Sequence, residues 1–96
     1  MPKAYIIAQA KVTDPESYAR YGAGTKAPAE AFNMTPLARG GRSQVLEGEG
    51  FPRVVILEFP SYEAALGYYN SPEYQAAREH RLNAAEFNMV VVEGVE

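Results

Sequence analysis

Apolar and other residues alternate from Ala4 to Val12, with Ala4, Ile6, Ala8, Ala10 and Val12 on one face and Tyr5, Ile7, Gln9 and Lys11 on the other. A period of two predicts a strand. Its second face is apolar at Tyr5 and Ile7, so water is not expected to cover all of it. Thr13-Asp14-Pro15-Glu16 then combines a capping carboxylate, a proline suited to the first helical position and an acid at the positive end of the dipole. The helix it starts carries an inward stripe of Tyr18, Tyr21, Thr25, Ala29 and Phe32, which Gly22, Gly24 and Pro28 are expected to bend or interrupt. Thr35 to Glu47 predicts a weaker edge strand, since Pro36 removes a ladder donor and Gly40-Gly41 marks a bulge or bend beside Arg39. Gly48 to Pro52 is a turn, and Arg53 to Phe59 is almost continuously apolar, as befits a central strand.

Ser61 is the expected cap of a second helix with Tyr62, Ala65, Leu66 and Tyr69 inward. Ser71-Pro72-Glu73 repeats the start signal, which predicts a third helical segment from Pro72 to Asn83 with Tyr74, Ala77 and Arg81 inward and Leu82 at the margin. Phe87 to Glu93 closes the pattern as a strand. The order strand, helix, strand, strand, helix pair, strand predicts an α+β fold, the ferredoxin-like βαββαβ antiparallel sheet with its helices on one face. Residues 1–96 are expected to form a single domain, because the length suits one and not two. The face without helices is too apolar to leave wet, so a second sheet, and hence a homodimer, is the simplest cover.

Composition narrows the partners. A formal charge of -3 with no cluster of lysine and arginine gives no footprint for nucleic acid or an anionic membrane. No apolar run approaches the roughly 20 residues that span a bilayer. No cysteine is present and the first residues do not read as a leader, so a cytoplasmic location is expected. One histidine without cysteine cannot supply the usual zinc ligands, and no metal or cofactor is expected.

The candidate ligand-binding residues are Arg39, Gly40, Gly41, Ser71, Tyr74 and Arg81. Paired glycines admit backbone amides to an anion and an arginine grips a carboxylate in a fork; the other reading is that the glycines shape the edge strand and Arg39 pairs with Glu47 or Glu58. Tyr74 follows the Ser71-Pro72 helix start, where an anion is welcome, and Arg81 lies on a mainly apolar stripe, where it either meets a ligand or snorkels over Ala77. The geometry expected is Arg39 against Ser71 and Tyr74. Seven tyrosines suggest a hydroxyl-lined cavity or plain aromatic core. The candidate catalytic groups are Glu58, a general base if burial raises its pKa and otherwise an arginine's ion-pair partner, and His80, the only histidine.

Several strings also resemble a bacterial family, the domain of unknown function 1330: Thr13-Asp14-Pro15-Glu16 with Tyr18 and Tyr21, Ala38-Arg39-Gly40-Gly41, Leu46-Glu47-Gly48, Val55 to Ser61, Asn70 to Gln75 and Val92-Glu93-Gly94. The resemblance implies the dimeric α+β barrel superfamily, in which two ferredoxin-like sheets face each other and which includes cofactor-free monooxygenases as well as stress-responsive proteins. The expected function is therefore a dimer that binds or transforms a small acidic or aromatic metabolite without a cofactor. If it is an enzyme, the expected reaction is proton transfer or monooxygenation. The alternative is a non-enzymatic binding or stress-response module.

Overall fold

The computed structural model describes residues 2–95. Within them the chain runs β1 (Ala4–Val12), α1 (Pro15–Gly24), α2 (Lys26–Ala31), β2 (Thr35–Arg39), β3 (Arg53–Phe59), α3 (Tyr62–Asn70), α4 (Pro72–Arg81) and β4 (Ala85–Glu93). The strands form one antiparallel sheet in the order β2-β3-β1-β4. The two most apolar strands thus lie in the centre, in the ferredoxin-like arrangement.

The helix starts follow local chemistry. Asp14 accepts from the Ser17 amide at 3.3 Å, Ser61 from the Ala64 amide at 3.0 Å and Ser71 from the Tyr74 amide at 3.1 Å. Each satisfies one of the orphan donors of a first turn. The interruption expected near Gly24 comes at Thr25, whose hydroxyl donates to the Gly22 carbonyl at 2.8 Å. Pro28 then falls in the first turn of α2, where a missing N–H costs nothing.

The register sorts every strand residue onto one of two faces. Ala4, Ile6, Ala8 and Ala10 are buried beneath the helices, in line with Leu57 and Phe59 of β3 and with Met89 and Val91 of β4. These small β1 side chains leave room above them for large ones, and the helices supply tyrosines. Phe59, Tyr68, Tyr74 and Tyr69 form a chain of ring contacts with centroids 5.1, 4.9 and 5.1 Å apart, each worth about 0.5–1.5 kcal/mol beyond its burial. The opposite face carries Tyr5, Ile7, Ile56, Val90 and Val92, and the last two remain 57% and 46% exposed. Tyr5 therefore belongs to the open face and not to the helix side.

Four expectations need correction. β2 stops at Arg39 and does not reach Glu47, because Gly40 turns with φ +74° and the chain to Gly50 is exposed. The irregularity of β2 lies between Pro36 and Ala38, where the proline interrupts the ladder, and not at Arg39. On α3 the buried side chains are Ala65 and Tyr68, and Leu66 lies at the margin, 36% exposed. α4 ends at Arg81, with Leu82 exposed.

α1 and α4 approach closely enough that a Cβ at Gly24 would lie 2.7 Å from that of Ala77, whereas one at Gly22 would meet nothing within 4 Å. Alanine is the better helix former by about 1 kcal/mol, so the two glycines separate propensity from packing. Gly22→Ala is expected to stabilise by about 0.5–1 kcal/mol and Gly24→Ala to destabilise by about 1–2 kcal/mol through forced helix separation. Denaturant midpoints at one fixed protein concentration check this; equal shifts of one sign would show that the helix contact does not decide the outcome.

Candidate functional site

Between the small residues of β1 and the tyrosines of α1 and α3 lies a cavity of about 300 Å³. Ala8, Val55, Leu57, Phe87 and Met89 form its floor, and Tyr18, Tyr21 and Tyr68 line its helix side. Arg39 and Arg53 line it from β2 and β3. Register explains the pair: Arg39 lies opposite Val55, and Arg53 precedes Val55 by two positions, so both share the helix-covered face. Among the described residues no aspartate, glutamate or histidine lines it.

Gly40 fixes the seat of Arg53. Its φ of +74° is closed to most side chains, and a Cβ there would overlap the Arg53 guanidinium. Its amide donates to the Val54 carbonyl at 3.1 Å, closing the end of β2 against β3. The Arg53 guanidinium lies 5.7 Å from the Tyr18 ring centre, and its Nε is buried with no acceptor among the described residues. Gly41 has no left-handed backbone and no close neighbour.

The other expected ligand residues lie behind this cavity and do not line it. Tyr74 is wholly buried. Its hydroxyl lies 2.9 Å from that of Tyr21, 3.9 Å from the Met89 sulfur and 3.4 Å from the Arg81 guanidinium, which donates to it. Ser71 is consumed by the cap of α4 and by donation to the Tyr68 carbonyl at 2.8 Å. Arg81 does not snorkel: it is 7% exposed, stacked 3.9 Å over Phe87 and 5.2 Å from Tyr21. Arg39 thus shares a cavity with Arg53 and not with Ser71 and Tyr74, and Tyr21 stands between that cavity and Tyr74.

The candidate catalytic groups are elsewhere. Glu58 pairs across the sheet with Tyr5 on the open face, and its carboxylate meets the Lys3 ammonium at 3.5 Å, not an arginine. Arg39 has no acidic partner among the described residues. His80 is exposed on α4. Among the described residues no group of three or more His, Cys, Asp and Glu is placed to hold a metal, and no helix is long and apolar enough to cross a membrane. Tyr18, Tyr21 and Tyr68 belong to the seven tyrosines weighed above as cavity lining or core, and they line this cavity; Arg53 was not among the candidate ligand residues. A register linking Arg53 to the face of Leu57 and Phe59 was the missing signal for the arginine.

Burial raises the hydroxyl pKa of Tyr21 and of Tyr68 well above the ordinary tyrosine value of 10.0. The neighbouring Tyr74 pushes the same way in both, and Arg81 opposes part of it. Both are therefore neutral donors at physiological pH. In the unfolded chain they ionise near 10.0, so their contribution is whole below that pH and is lost as pH rises towards the folded-state values. The expected loss is at most about 1.4 kcal/mol per pH unit for each. Denaturant titrations at about pH 8 and about pH 11 read it, and a Tyr21→Phe, Tyr68→Phe double variant should lose most of the dependence. An equal dependence in that variant would assign it to other groups.

The family model described as Domain of unknown function (DUF1330) matches residues 3–95. No curated protein matches the chain. In fold it is similar to a protein of unknown function from Rhodopseudomonas palustris, with a TM-score of 0.80 and 20% identity over 99% of this chain and 84% of that one. It is also similar to SnoaB, a cofactor-independent oxygenase from Streptomyces nogalater, with a TM-score of 0.67 and 11% identity over 100% and 96% of the two chains. A dimeric ferredoxin-like protein of unknown function from Thermobifida fusca YX aligns with a TM-score of 0.63 and 13% identity over 96% and 91%. These likenesses fix the fold, and with the family model running through every strand and helix, the chain belongs to the DUF1330 family.

Proposed function

We propose that this protein is a homodimer that binds a small aromatic anion, a carboxylate or phenolate, in the cavity beneath α1, without a cofactor. The observation that carries the reading is a cavity with two arginines, aromatic walls and no acidic lining residue. An arginine grips a carboxylate through two parallel hydrogen bonds, and the rings of Tyr18 and Phe87 suit a flat apolar body. A volume of about 300 Å³ is at the small end for ligand sites. It is roughly twice a cavity that accepts benzene, which argues for one ring and its substituents.

Binding is favoured over turnover because the lining contains no base. Tyr21 and Tyr68 keep their protons, and Glu58 and His80 lie outside the lining. The cofactor-independent activity of SnoaB, which shares this fold, supports a second reading in which a ligand that enters already ionised reacts with oxygen in the same cavity. Dimerisation is supported by the half-exposed valines of the open face and by fold neighbours described as dimeric.

Two experiments test this. In calorimetry with 4-hydroxybenzoate as probe, Arg53→Met should weaken binding roughly tenfold or more, as expected for a hydrogen bond to a charged group. Arg39→Met should weaken it less, since that residue is exposed. Glu58→Gln and His80→Gln should leave it unchanged. Absence of binding by the parent protein, or indifference to both arginine changes, overturns the anion reading. In light scattering the protein should weigh about twice its 10.5 kDa chain mass, and Val90→Arg should lower that mass; a monomeric parent overturns the dimer.

A further inference from the structure

We propose that a second cavity, beneath α3, is an apolar compartment of the same site, which takes a short uncharged substituent on the aromatic anion, with Met89 as the yielding partition between the two. The inference rests on the proposed function, because the ring must be seated at the arginines for its substituent to point across the sheet.

The second cavity has about 260 Å³ and is lined by Ile6, Ala65, Leu66, Tyr69, Met89 and Val91. None of these carries a charge, so a second ionised group there would be left without a counterion. Among the described residues Met89 alone lines both cavities. The sheet makes them neighbours. Met89 pairs with Ala8, which floors the first cavity, and Val91 pairs with Ile6, which floors the second. Successive inward positions on one strand are roughly 7 Å apart. The floors are therefore adjacent rows of one sheet, and Met89 stands on their boundary.

The partition has one fixed and one soft component. The Tyr74 hydroxyl, which faces the Met89 sulfur, is held by Tyr21 and Arg81. Methionine has an unbranched chain that adapts to irregular space. A substituent passing from the first cavity would displace the thioether and leave Tyr74 in place. Residue 89 then sets how far the substituent reaches, and a smaller side chain lengthens it.

The test uses benzoate and its 4-methyl, 4-ethyl and 4-butyl derivatives in calorimetry with the intact protein. Affinity should rise roughly three- to fourfold per added methylene, the gain for one buried CH₂. Leu66→Trp, which fills the second cavity from its exposed side, should abolish that rise and leave benzoate itself unaffected. Met89→Ala should extend the rise to a hexyl chain. Because the tryptophan variant could misfold, nuclear Overhauser contacts from the terminal methyl of butylbenzoate to Val91 in the parent protein provide a second measurement. Equal affinities across the series, or contacts from that methyl to Tyr18 in place of Val91, overturn the inference while the anion site stands. Failure of benzoate to bind, or binding indifferent to both arginine changes, overturns the anion site and this inference with it.

Discussion

The Tyr74 side chain is wholly buried, and its hydroxyl has to find partners there, because an unpaired hydroxyl in an apolar interior costs about 1–3 kcal/mol. It finds them on Tyr21 of α1, Met89 of β4 and Arg81 of its own helix. α1 is thereby set against α4 and β4, more than fifty residues further along the chain. The arrangement also makes a buried arginine tolerable. Arg81 has no carboxylate partner among the described residues, but it lies over two aromatic faces and in the last turn of α4, where the dipole favours a cation. Tyr21 is positioned by this cluster on one side and borders the cavity on the other.

The chemistry of the two sheet faces is divided by strand parity alone. Arg53 and Glu58 belong to the same strand, five positions apart, so one points beneath the helices and the other to the open face. The cationic cavity is kept free of acids by that division, and Glu58 is left to Lys3 in a partly exposed pair that contributes little to stability. A shift of β3 by one residue would exchange the faces of the two groups and set a carboxylate against Arg39 in place of a second cation.

Element types and order were legible in the sequence, since the caps at Asp14, Ser61 and Ser71 and the period of β1 are local signals. The left-handed glycine beside Arg39 was legible too, as one of a pair. What could not be read was pairwise: which helix lies over which strand, and hence that Arg39 shares a cavity with Arg53 and Tyr21, not with Ser71 and Tyr74. The choice between Leu66 and Tyr68 as the inward residue of α3 also depended on rotation of a helix whose faces differ little in polarity. The length of β2 was not legible because Gln44-Val45-Leu46 suits a strand locally, while no strand among the described residues pairs with it.

Position 40 is closed to a side chain twice over, once by its own backbone angle and once by the guanidinium that occupies the space a Cβ would need. The second reason belongs to Arg53. A chain that acquired a side chain at 40 would have to surrender the present placement of that arginine, and a chain that lost the arginine would leave a vacancy beside the glycine. The two sites are therefore a single unit of variation, thirteen positions apart in sequence and adjacent in space. Divergence among relatives is expected to change them together, and the pair is a sharper marker of the cationic cavity than either residue alone.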